Sequence, residues 1–409
     1  MAPRILIATT VRWPSAARVA AAFAELGAEV EALHPEGSPL EASGAVARTH
    51  RYQAMWPLRA LRLAIARSQP DLIVPCDDRA VSQLVALHRS SDEPIAAVIE
   101  RSLGAVENYP QLMSRSGFLA AASEAGIRIA ETLPVADEEQ LEEALSELGL
   151  PAMLKLDGSW GGDGVTMVHT REEARQVFHR LAAAPSLARS LARSLHRRDA
   201  HFLRAGLTSE KPALSLQKFV RGQQATSTLA CWQGEVIAAS HFDVVVTWGA
   251  TGPATVIRRV SCSEMSETAR RVAARFGLSG LHGLDFIRDE EGRRHLLEIN
   301  PRATQTSHLA LGPATDLPAA LLGAIGATRP RPAVTSSELI ALFPKERLRD
   351  PHSPYLKTAY HDMPWNDLGV LARLLGPEGR APVWQPTDFA RPPLPFLTRG
   401  LPIETATFR

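Results

Sequence analysis

Three cysteines in 409 residues are too few for a disulfide framework, and Cys76, Cys231 and Cys262 stand far apart with no CxxC among them. That excludes a disulfide-stapled scaffold and a cysteine zinc site, and suits reduced thiols. No stretch approaches the 18 or so uninterrupted apolar residues of a membrane span. The opening MAPRILIATT carries neither an h-region nor a small-residue cleavage site, so no secretory signal is expected. Charge of one sign is missing as well: 45 Lys plus Arg stand against 44 Asp plus Glu, a formal net charge of +1. Nothing global therefore calls for nucleic acid or an anionic membrane as partner. What is present, 45% hydrophobic and 22% charged residues, is ordinary for a globular protein long enough for two or three domains. The expectation is a cytoplasmic protein.

The front of the chain alternates strand and helix. An apolar run at 4–10, helical spacing from Ser15 to Leu26, a strand at Glu29–Leu33, a helix at Pro57–Ser68 and a strand in 71–78 predict a small parallel α/β domain over 1–105. The turn after the first strand reads TTVRWP rather than GxGxxG, which argues against a dinucleotide site there. A second section, 106–212, opens with a helix over Tyr109–Ala125. It continues with a capping pair at Asp137 and Gln140, then a strand, glycine-rich loop and strand in PAMLKLDGSWGGDGVTMV, and a capping box at Thr170 and Glu173. Its arginine run at 189–204 reads first as a solvated helix face and second as a phosphate contact. Over 213–328 the pattern is strand-rich: LSLQKFV, ATSTLACW, EVIAASHF, ATVIRRV, GLDFI and HLLEI, with Ser263 as cap of a helix over 264–276 and a last helix near Asp316–Ile325. The extension 329–409 is proline-rich, with thirteen of the 30 prolines from residue 330 onward. That density excludes long elements apart from a short helix after Asn366, while its aromatics suit a segment wrapped on the body.

Two constellations carry chemistry. Asp285 and Glu298 are mirrored about the Glu291-Gly292 turn, so an antiparallel hairpin sets their Cβ atoms about 5 Å apart. Asn300, two residues on from Glu298, shares its face. Two facing carboxylates and an amide suit a hard cation, Mg²⁺ or Mn²⁺, shared with phosphates. The competing reading is a solvated polar face on an edge hairpin. The second constellation is Lys155 inside an apolar strand, ahead of Gly158, Gly161, Gly162 and Gly164. A bound phosphate would satisfy the buried ammonium, and the loop offers unobstructed backbone N–H groups. The alternative is a turn between two strands with the lysine reaching water.

These two sites, in this order with strands between them, resemble the ATP-grasp superfamily over residues 1 to about 325. The order EINPR, then Ser307 and His308, is most similar to its carboxylate–amine ligase branch. The resemblance implies an α/β fold, α+β in the closing part, with an N-terminal pre-ATP-grasp domain. It makes Asp285, Glu298 and Asn300 metal ligands, Arg302 the catalytic anion-binding residue, Lys155 a catalytic contact of the α- and β-phosphates, and Gly158–Gly164 a flap over the triphosphate. It sets Gln217, Lys218, Phe219 and Val220 against adenine and Gln224 near the ribose. Arg115 stands where the family carries a second nucleotide lysine, and Gln217 and Gln224 replace glutamates. The implied reaction is ATP-dependent joining of a small-molecule carboxylate and amine through an acylphosphate. Rival readings are a carboxylating or phosphotransferring ATP-grasp enzyme and a non-catalytic ATP sensor. Trp248, Arg258, Arg259 and His308 are substrate candidates, and the resemblance admits a homodimer.

Overall fold

The structure, a computed structural model, describes residues 2–157, 164–183, 191, 213–249, 252–327 and 329–375. Gly158, Gly161, Gly162, the arginine run and the chain beyond 375 lie outside the described residues.

Strands β1 (Arg4–Ala8), β2 (Glu29–His34), β3 (Arg48–Arg51) and β4 (Leu72–Pro75) form a parallel sheet in the order β3-β2-β1-β4. Ile5, Leu6, Ile7 and Ala8 are all buried, as expected of a central strand covered on both faces. β1 and β4 are shorter than the apolar runs suggest, whereas β2 runs one residue further than expected, to His34. Asp77 caps the helix Asp78–His88, its Oδ1 accepting from Ala80 N–H at 2.9 Å, and its Oδ2 takes the Thr10 N–H at 2.6 Å. The two threonines and the Asp-Asp pair thus stand at the carboxyl ends of β1 and β4, with the Thr9 N–H still donating to the Leu33 carbonyl of β2 at 2.9 Å. Strand order reverses beside β1, which is where an open α/β sheet leaves a crevice.

A second, antiparallel sheet contains β5 (Thr132–Val135), β6 (Ala152–Leu156), β7 (Val165–Val168) and β8 (Leu214–Lys218), in the order β5-β8-β6-β7. Its own core is built around Leu141, Leu145, Leu154, Phe178 and Leu216. The helix expected over Tyr109–Ala125 is two helices, Tyr109–Leu112 and Arg115–Glu124. Ser114 interrupts it by accepting the Gly117 N–H at 3.3 Å, a side-chain cap competing with the helical ladder. The predicted caps at Asp137 and Thr170 form, accepting from Gln140 N–H at 2.9 Å and Glu173 N–H at 3.1 Å.

The third sheet holds β9 (Gln223–Trp232), β10 (Glu235–Thr247), β11 (Ala254–Val260), β12 (Gly280–Arg288), β13 (Arg294–Asn300), β14 (Leu339–Ala341) and β15 (Tyr360–His361), in the order β13-β12-β9-β10-β11-β14-β15. Gln233 and Gly234, both at positive φ (49° and 86°), turn β9 into β10. The helix Ser263–Phe276 starts one residue before its expected first turn. Cys262 is its N-cap residue and no side chain caps it, so the role expected of Ser263 is not realised. The extension does not merely wrap the body: its residues 339–341 pair with β11, and 360–361 pair with β14. Phe118 and Phe276, ring centroids 5.5 Å apart, join the helix Arg115–Glu124 to the core beneath this sheet. Burial of two such rings contributes about 1.5–3 kcal/mol each.

Candidate active site

The hairpin β12–β13 forms with the register read from the sequence, Asp285 opposite Glu298 and Gly283 opposite Asn300. Asn300 Nδ2 donates to Asp285 Oδ2 at 2.9 Å, so the three predicted side chains are neighbours. Burial first, and then the facing Glu298 charge, push the Asp285 carboxyl above its ordinary value. Burial also works against ionisation of Glu298, yet the positive charges of Arg115 and Lys155 hold it below the usual range. Two half-buried acids facing each other, with an amide beside them, are a donor set that fits a hard divalent cation. Among the described residues no group of three or more His, Cys, Asp or Glu side chains is gathered for a metal, so such a set depends on the amide of Asn300.

Lys155 is on β6, in the facing sheet, and is 8% exposed. Burial lowers its ammonium to about 8, against the pull of Glu298 and Asp285, which places it within the electrostatic reach of both. Arg115 opens the second helix of the broken pair. Its Nη2 and Nε donate to Glu298 Oε2 at 2.8 and 3.2 Å, and its Nη1 donates to Asp157 Oδ1 at 3.2 Å. Its backbone N–H reaches Asp157 Oδ2 at 3.2 Å, a contact that exists only because Ser114 breaks the helix there. Arg302 donates to Asn300 Oδ1 at 3.0 Å and to Asp78 Oδ1 at 3.2 Å. Its loop is docked by the Ala303 N–H on the Pro75 carbonyl at 3.0 Å, at the carboxyl end of β4. A cleft lies among Arg115, Asp157, Glu298, Asn300 and Asp78.

Two partners were missed in the sequence: Asp157, which pairs with Arg115, and Asp78, which pairs with Arg302. Both had a local sign, one directly after Lys155-Leu156 and the other just past an apolar strand. The strand β8 ends at Lys218, leaving Phe219 and Val220 beyond the ladder. The Gln217 side chain is buried, donating to Thr132 Oγ1 at 2.8 Å and the Leu297 carbonyl at 3.3 Å, while Gln224 lies on β9 opposite Ile287. Gly164, at φ 78°, accepts the Leu156 N–H at 2.9 Å and closes the β6–β7 hairpin. The four substrate candidates do not line this cleft. Trp248 is half-buried ahead of β11, Arg258 is exposed, Arg259 is half-buried, and His308 lines a different pocket.

A paired Asp and Glu on a long antiparallel sheet, met by a lysine from a smaller sheet and preceded by a parallel α/β domain, is the ATP-grasp arrangement. Residues 114–323, just over half the chain, match the family model "Carbamoyl-phosphate synthase L chain, ATP binding domain", and the protein belongs to that family. The fold is similar to carboxyaminoimidazole ribonucleotide synthase from Aspergillus clavatus complexed with ATP, at TM-score 0.57 and 17% identity over 81% of this chain and 78% of that one. It is also similar to the Staphylococcus aureus N5-carboxyaminoimidazole synthetase, at TM-score 0.56 and 13% identity over 80% and 78%. The biotin carboxylase domain of Hydrogenobacter thermophilus 2-oxoglutarate carboxylase, solved with MgADP and bicarbonate, gives TM-score 0.58 and 16% identity over 81% and 71%. In sequence, rice acetyl-CoA carboxylase 2 is 26% identical over 171 residues, which span 39% of this chain and 6% of the rice protein. Among the described residues no helix is long and apolar enough to cross a membrane.

Proposed function

We propose that the protein is an ATP- and Mg²⁺-dependent ligase that activates a carboxylate, bicarbonate included, as a mixed anhydride with phosphate and passes it to a nitrogen nucleophile. The observation that carries this reading is the half-buried facing pair Asp285 and Glu298 with Lys155 and Arg302 arrayed around it. Bicarbonate enters because a carboxylase with this fold was solved with it. Asp285, Glu298 and Asn300 would hold Mg²⁺, which supplies charge neutralisation for the phosphate oxygens. Lys155 and Arg115 would face the same oxygens, so that a carboxylate can approach a triphosphate that would otherwise repel it. The carboxylate oxygen attacks the γ-phosphorus and the bond to the β-phosphate breaks, releasing ADP. The nitrogen then attacks the acyl carbon, the bond to the phosphate oxygen breaks, phosphate leaves with the electron pair, and the nitrogen proton goes to solvent or a base. Arg302, already on Asn300 and Asp78, is placed to hold the carboxylate, and exclusion of water protects the anhydride.

The test is phosphate release from Mg-ATP with pooled carboxylates and amines, the nucleotide products being identified. ADP and phosphate are expected only when both pools are present, and Glu298→Gln and Asp285→Asn are expected to abolish turnover in folded protein. AMP with pyrophosphate would replace the acylphosphate by an adenylate. Tight ATP binding without turnover would make the protein a sensor, and a fully active Glu298→Gln would remove the metal role.

A further inference from the structure

A second pocket, which shares no lining residue with the Glu298 cleft, opens at the crevice beside β1. Trp13 and Arg18 come from the segment after β1, His308 from the loop after β13, and Phe343, Lys345 and Asp362 from the extension. The Arg302 guanidinium sits over the Trp13 ring of this pocket, 5.8 Å from its centroid, and bonds to Asn300 and Asp78 of the other. Most of these residues fall outside the 114–323 that match the family model.

The charges of this pocket do not balance. Arg18 is matched by Asp362, Nη2 to Oδ1 at 2.6 Å, and the other Asp362 oxygen faces His308 Nε2 at 2.9 Å. Arg302 is matched by Asp78. Lys345 is not matched: its Nζ donates to the neutral amide oxygen of Gln305, and no ion pair with a carboxylate is formed among the described residues. Burial, and then the Arg302 charge, lower its ammonium to about 8, with no acidic group pulling the other way. Two further atoms at the pocket are buried with no partner among the described residues, Arg18 Nη1 and His308 Nδ1. Burial, opposed by Asp362, keeps the imidazole below its ordinary pKa and therefore neutral. With its proton on Nε2 toward Asp362, Nδ1 is a bare acceptor. An uncompensated cation and an unused N–H thus want acceptors, an unused imidazole nitrogen wants a donor, and Trp13 and Phe343 supply flat apolar walls. Buried polar groups of this kind cost free energy until something meets them.

We infer that this pocket binds the nitrogen-bearing substrate of the proposed reaction, and that this substrate carries an anionic group, a carboxylate or phosphate, held by Lys345 and Arg18. An N–H or O–H of the same molecule meets His308 Nδ1, and its apolar body lies against Trp13. This rests on the ligase reading for the word substrate, and on the pocket alone for the anion. The extension is then the element that selects the acceptor.

The test uses the full chain with phenyl phosphate and benzoate as probes and benzyl alcohol as the uncharged control, followed by calorimetry and by quenching of tryptophan emission. Both anions are expected to bind wild type and the alcohol not to. Lys345→Gln is expected to weaken them about ten- to a hundredfold, as for loss of a charge-assisted hydrogen bond, with Lys345→Arg restoring most of it and the MgATP affinity unchanged. A preference for phenyl phosphate over benzoate names phosphate as the anion, and the reverse names carboxylate. Absence of binding up to about 10 mM, a limit below 3 kcal/mol of affinity, would overturn the inference. So would equal binding by Lys345→Gln, or loss of the probe on saturation with ATP, which would put it in the nucleotide cleft. If ATP fails to bind while the anions still do, the ligase reading fails and the pocket stands.

Discussion

Arg115→Ala removes one cation from a cleft holding three acids, and its effect can be worked from the contacts. The guanidinium is 10% exposed and bridges Glu298, 31% exposed, and Asp157, 14% exposed. Removing one partner of a fully buried ion pair costs about 3–5 kcal/mol, and the partial exposure of Glu298 reduces this to about 2–3 kcal/mol. At about 2 °C per kcal/mol the melting temperature should fall by about 5 °C in EDTA. Lys155 is relieved of a repelling neighbour, while Glu298 and Asp157 lose the charge that favours their ionised forms. A cation should then be admitted without nucleotide. With Mg²⁺ at about ten times its dissociation constant, linkage returns about 1.4 kcal/mol to the variant. Wild type, whose guanidinium already covers Glu298, should gain much less. Melting curves of both proteins in EDTA and in Mg²⁺ measure the two effects. An unchanged melting temperature in EDTA, or an equal Mg²⁺ gain in both proteins, would refute the argument, and Arg115→Lys should fall between because it keeps the charge and loses the fork.

Gly104 lies at φ 87°, where an added Cβ would sit 1.9 Å from the Gly277 carbonyl oxygen, whereas Gly149, at φ 75°, has nothing within 4 Å. Gly104→Ala should therefore cost about 3 kcal/mol or more and Gly149→Ala only the left-handed penalty of about 1 kcal/mol; equal urea midpoints would contradict this. Burial lowers His241, His282 and His361 to about 4, so each is neutral in the folded protein. Their contribution is intact above the unfolded value near 6.5 and is lost as pH falls from there toward 4. Together this removes up to about 5 kcal/mol between pH 7 and pH 5. A urea midpoint that stays level over that range, or a slope that His361→Phe leaves unchanged, would count against it.

How far the sequence was legible depended on how local each determinant is. The Asp285–Glu298 pairing was readable because a short turn joins the two strands of a hairpin, although the loop has five residues and a bulge beside Asp285 makes up the register; the β11 boundaries were readable because ATVIRRV is bounded by a loop and a polar break. The partners Asp78 and Asp157 were not, since Arg302 and Asp78 are separated by 224 residues and only the folded chain joins them. Helical spacing runs straight through Ser114, so the break that aims Arg115 at Asp157 depends on a cap hydrogen bond rather than on periodicity. In the extension, proline density hid β14 and β15, which are three and two residues long and gain their stability from the edge they join.

Because β14 and β15 close the far edge of the sheet, the molecule has an order of manufacture. The parallel sheet is complete once Pro75 has been made, and the Glu298 cleft once Arg302 has. Domains that emerge first generally fold first. For the length of chain between Val260 and Leu339, however, β11 has a bare edge with Val256 and Ile257 behind it, the kind of edge that another chain can pair with. The Lys345 pocket is finished last, with Asp362. A nascent chain would therefore complete the Glu298 cleft well before the Lys345 pocket, and it would be most in need of a chaperone during that interval.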